Sequence, residues 1–60
     1  MKMTLEDESS KATEMLKGKI VAEILRHRKG EVVIKFADGT TFFIDQTPDG
    51  LDLSITEDGM

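Results

Sequence analysis

The 60 residues contain no cysteine, tryptophan or tyrosine, and only one proline, one histidine and three phenylalanines. Without cysteine there is no disulfide framework and no thiolate metal site. So few aromatic rings argue against a surface on which bases stack. No apolar run approaches the roughly 20 residues of a transmembrane helix, and the N-terminus lacks the charged-then-apolar pattern of a signal peptide. The net charge of −4 removes general electrostatic attraction to nucleic acid. No P-loop, GxGxxG, HExxH or paired-cysteine pattern occurs. The expectation is a soluble cytoplasmic protein of bacterial or phage origin. It is expected to be no enzyme, with no cofactor, metal, membrane or small-molecule substrate, and nucleic acid is not the favoured partner.

The length admits one small domain, residues 1–60, with residues 1–4 and 57–60 expected to be flexible. A chain of this size buries only about 60% of its unfolded surface. Small cysteine-free domains commonly gain stability by oligomerising, so protein partners, a second copy first among them, are the expected ones.

What the sequence does contain is organised around GEVVIKFADGTTFFI, Gly30 to Ile44. This stretch predicts two strands joined at Ala37-Asp38-Gly39. A two-residue Asp38-Gly39 turn places Ile34 opposite Phe43 and Lys35 opposite Phe42, mixing polar and apolar groups on each face. A three-residue loop pairs Phe36 with Thr40, Ile34 with Phe42 and Val32 with Ile44, so one face is apolar along both strands. A slip of one residue exchanges the faces, so the apolar pattern selects the three-residue loop. Gly39 then takes the left-handed conformation, which only glycine adopts without steric cost.

The flanking segments are placed against this hairpin. Thr4 caps a helix from about Leu5 to Lys17, with Glu6, Asp7 and Glu8 at the positive end of its dipole. Leu5, Ala12, Met15 and Leu16 share one face, and Gly18 ends the helix. Lys19 to His27 reads as the first strand. A loop Arg28-Lys29-Gly30 of the same three-residue form pairs Arg26 with Val32, Ile24 with Ile34 and Ala22 with Phe36. Leu51, Leu53 and Ile55 alternate with Asp52 and Ser54, which predicts a fourth strand over about Leu51 to Thr56. Its side chains join Phe43 if Pro48-Asp49-Gly50 is the loop, and Phe42 and Ile44 if the loop is Asp49-Gly50. The pattern leaves both open.

A second apolar row, Val21, Leu25, Val33 and Phe43, falls beside Glu23 and Lys35 on the opposite face. One helix covers only one face. Either the sheet curls into a small barrel or this row is an interface between chains, and the second reading is favoured because an uncovered apolar patch marks an interaction site. The first and fourth strands are free edges, open to pairing between chains.

Three further features bear on chemistry. His27 lies in the basic run Arg26-His27-Arg28-Lys29 at a hairpin tip, with no adjacent Ser, Thr or Asp to complete a catalytic group. The same run could position a phosphate backbone, which makes a nucleic-acid accessory role the alternative function. Asp45, Thr47, Asp49 and Gly50 match some offsets of a calcium loop. However, Thr56 stands where a bidentate Glu is required, so the stretch reads as a hairpin loop.

The predicted class is α+β: a short N-terminal helix packed on a four-stranded antiparallel meander, with a small SH3-like barrel as the curled form. In architecture this resembles small SH3-like and Sm-like bacterial proteins. The extra strand and loop residues of the Sm-like case are absent, so no ring assembly or RNA site follows. The expected function is a non-catalytic protein-interaction or self-associating β module.

Overall fold

The computed structural model describes residues 4–57. Helix α1 runs Leu5–Leu16, followed by strands β1 (Val21–Leu25), β2 (Glu31–Phe36), β3 (Thr40–Thr47) and β4 (Gly50–Glu57). The strands form one antiparallel sheet in the order β1-β2-β3-β4. The predicted helix-plus-meander class is the observed one. The sheet does not close: β1 pairs with β2 and β4 with β3, and the two do not meet. The barrel form is therefore not adopted.

The helix begins as its sequence dictates. The Thr4 hydroxyl accepts the Asp7 amide at 3.0 Å, and the Asp7 carboxylate accepts the Thr4 amide at 3.4 Å. This capping box satisfies two amides that the first turn leaves free. No side chain of α1 is fully buried. Ala12, Met15 and Leu16 are half-buried, whereas Leu5 is 84% exposed.

The central hairpin has the predicted register, with Val32 opposite Ile44, Ile34 opposite Phe42 and Lys35 opposite Thr41. The Gly39 amide donates to the Phe36 carbonyl at 3.1 Å. Gly39 takes φ +96°, and Asp38 Oδ1 accepts the Thr40 amide at 2.9 Å. Two hydrogen bonds and the left-handed Gly39 thus fix the loop length that the apolar pattern selects.

The first hairpin departs from expectation twice. Its ladder ends at Leu25 opposite Val33, so residues 26–30 form the connection and Arg26 does not pair with Val32. Gly30 has no left-handed backbone; its carbonyl instead accepts the Gln46 amide of β3 at 2.8 Å. Further back, Glu23 faces Lys35 but Val21, not Ala22, faces Phe36. The extra residue, Ala22, is a β-bulge, and it exchanges the faces of everything before it.

The last hairpin resolves the choice left open by the sequence. Thr47 faces Gly50, so the loop is Pro48-Asp49, and Phe42 faces Ile55 while Ile44 faces Leu53. The face is that of the second alternative, reached through a register two residues away. The Thr47 hydroxyl holds this turn, accepting the Asp49 amide at 3.3 Å and donating to the Gly50 carbonyl at 3.2 Å. Glu57, expected in a flexible tail, is the last residue of β4. Thr4, expected in the flexible N-terminal end, is the cap of α1, and the remainder of the two expected flexible ends, residues 1–3 and 58–60, lies outside the described residues.

Candidate functional site

Cross-strand partners share a face of a sheet. The pairings therefore assign each strand residue to one of two faces, called here after Ile34 and Val33. On the Ile34 face one apolar row crosses all four strands: Ile24, Ile34, Phe42 and Ile55. Val32, Ile44 and Leu53 form a second row beside it. Val21 and Phe36 extend it at one end and Leu51 at the other. The strands' ionisable side chains Glu23, Lys35, Glu31, Asp45 and Asp52 all fall on the Val33 face. Glu57, opposite Thr40 at the margin, is the one strand carboxylate on the Ile34 face.

Helix α1 approaches the β4 side of the Ile34 face. Ala12 and Met15 line a groove whose other wall is Leu51, Leu53 and Ile55, with Glu8, Lys11 and Asp52 at its rim. The β1 side has no such cover. Ile24 is 62% exposed and Val21 50%, although both are apolar and both lie across from apolar neighbours in β2.

Of the four residues expected as an interface, the structure brings three together. Leu25, Val33 and Phe43 stand side by side across β1, β2 and β3. Val21 is carried to the other face by the Ala22 bulge. Val33 is 4% exposed and Leu25 and Phe43 are half-buried, so most of this row is covered within its own chain. A shallow depression lies over it, with Glu31, Lys35 and Thr41 contributing to its lining and His27 and Arg28 at its edge. Sequence reasoning missed Ile24 as an exposed residue; its place on the edge strand β1, away from the groove beside α1, is what exposes it.

The basic tip is exposed throughout. The Arg26 guanidinium turns back and donates to the Lys29 carbonyl at 2.7 Å. Arg28 Nε lies 3.8 Å from Glu31 Oε1. These contacts hold two of the four residues Arg26, His27, Arg28 and Lys29 against their own hairpin. Asp45 faces Asp52 across β3 and β4, away from the Thr47–Gly50 turn. Among the described residues, no group of three or more His, Asp or Glu side chains is arranged to hold a metal ion.

At the other end of the sheet, Lys19 Nζ contacts Asp38 Oδ2. This contact, followed by the bonds from Thr40, holds the Asp38 carboxyl down at about 2. Because Asp38 lies in the β2–β3 turn and Lys19 just before β1, the pair ties the bulged end of the edge strand to the central hairpin. Comparison with protein-family models, with curated proteins and with solved structures finds no match.

Proposed function

We propose that this chain is a non-catalytic β module that acts by association with protein, in the first place with a second copy of itself. The observation that supports this most is how little apolar surface the single chain covers. Among the described residues only Val33 and Phe36 are buried apolar side chains. Ile20, Val21, Ile24 and Leu51 stay half or more exposed. The accessible surface is 4911 Å², against about 3,900 Å² for a folded monomer of this mass. The radius of gyration is 12.1 Å, against about 10 Å for a compact chain of this length. The surplus area is of the order of 1,000 Å², comparable to what one partner contributes to a standard interface.

Light scattering over a concentration series tests this reading. The expected result is a mass that reaches twice or more that of the chain as concentration rises. A single-chain mass at every concentration removes the reading. The alternative role in nucleic-acid binding through residues 26–29 has no comparable support, since the chain as a whole carries a net charge of −4.

A further inference from the structure

We infer that the association is isologous and face to face: two copies pack the β1–β2 halves of their Ile34 faces against each other, with Ile24 near the two-fold axis. This rests on the self-association proposed above and specifies its surface and geometry.

The argument begins with charge. A chain of net charge −4 meeting its own copy brings like charges together. Such a contact is tolerable only where the buried surface carries no ionisable group, because an unpaired buried charge is strongly unfavourable. Of the two sheet faces, only the Ile34 face meets that condition, with Glu57 confined to its margin. A contact through the Val33 face would bury three neighbouring carboxylates, Glu31, Asp45 and Asp52, in each copy. Those three stand side by side on β2, β3 and β4.

Coverage then selects the half. Helix α1 and β4 already border a common groove, so a second sheet approaching over β4 would meet the helix. Over β1, among the described residues, Val21 and Ile24 are exposed beside the half-buried Ile34 and the buried Phe36. Two such half-faces related by a two-fold axis bring apolar surface against apolar surface at the usual spacing of about 10 Å between packed sheets. Each helix is left at the outside of the pair. Such a contact is closed and stops at two copies.

The cysteine-free sequence makes the test direct. Single-cysteine variants Ile24→Cys and Glu23→Cys differ by one position and lie on opposite faces. With a short bis-maleimide, which spans facing sheets that a disulfide cannot bridge, Ile24→Cys is expected to give a covalent dimer when the reaction is run concentrated and none when it is run dilute, while Glu23→Cys gives none in either case. Equal linking of both variants overturns the face-to-face arrangement in favour of pairing along the β1 edge. A wild type of doubled mass with neither variant linking overturns this surface but leaves self-association standing. A monomeric wild type overturns both. As a second measure, Ile24→Glu and Ile24→Lys are each expected to lose the doubled mass, and an equimolar mixture to regain it. A mixture that stays monomeric, with both variants folded by circular dichroism, places Ile24 away from the axis and overturns the geometry.

Discussion

The ammonium of Lys19 rests against Oδ2 of Asp38, 19 residues along the chain, while Asp38 Oδ1 accepts the Thr40 amide at 2.9 Å. One carboxylate thereby joins the approach to β1, the central turn and the start of β3. The adjacent bond from the Ala37 amide to the Ile20 carbonyl, 2.8 Å, reinforces the same junction. Lys19 is the largest cause of the lowered Asp38 pKa, ahead of Thr40. The folded value, about 2, lies below the ordinary 3.8. The stabilisation is therefore complete above about pH 4 and is lost as pH falls towards 2. An NMR titration of the Asp38 carboxyl carbon is expected to show this low value in the wild type. In Lys19→Met it should rise towards the ordinary range. An ordinary titration in the wild type would dissolve the link.

The two hairpin glycines should respond differently to a side chain. Gly39 sits at φ +96°, where a branched residue is strained, so Gly39→Val is expected to destabilise by about 1–3 kcal/mol. Gly30 has an ordinary backbone, but a Cβ there would lie 3.2 Å from Gln46 Oε1 and 3.3 Å from Gln46 Cβ. Gln46 is exposed and can shift, so Gly30→Ala is expected to cost less than Gly39→Val. Urea denaturation of the two variants checks the order; the reverse order would mean that close approach to β3, rather than turn conformation, limits this sheet.

The central hairpin is legible in the sequence because one register alone puts Val32, Ile34, Phe42 and Ile44 on one face. The bulge is not legible. Ile20, Val21 and Ala22 are all apolar, so a slip of one residue there leaves an apolar side chain on either face and polarity cannot detect it. The last hairpin fails for a related reason: alternation puts Leu51, Leu53 and Ile55 on one face but settles neither which face that is nor the register. The Thr47 hydroxyl holds the observed turn. The Leu25, Val33 and Phe43 row is legible by alternation too, but its burial is not. Val33 is buried on an inner strand and Ile24 is exposed on the edge strand β1. Strand order decides both, and no local pattern contains it.

Since α1 buries no side chain fully, its stability rests heavily on its own cap. A 12-residue helix is marginal alone. Thr4→Ala removes the acceptor for the Asp7 amide and should cost the helix about 1 kcal/mol. The expected outcome is reduced helical circular dichroism and faster amide exchange in Glu8–Leu16, with exchange in β2 and β3 unchanged. Equal acceleration in helix and sheet would show instead that they open as one unit.

The last expectation separates the core of one chain from the surface between chains. Val33 is buried between Leu25 and Phe43. Truncation to Ala removes two buried carbons and should cost about 2 kcal/mol at every protein concentration. Val33→Glu should unfold the chain rather than merely dissociate it. Ile24→Ala acts on a side chain that is 62% exposed in the single chain. At high dilution its effect should stay within about 0.5 kcal/mol, as for ordinary surface changes. Association raises the melting temperature with concentration, by mass action. That rise should persist in Val33→Ala from a lower starting point and flatten in Ile24→Ala. Thermal melts of the three proteins over a hundredfold range of concentration would decide. If Ile24→Ala lowers the dilute-limit melting temperature as far as Val33→Ala does, Ile24 belongs to the core of the single chain, and the uncovered half of the Ile34 face is not a surface waiting for a partner.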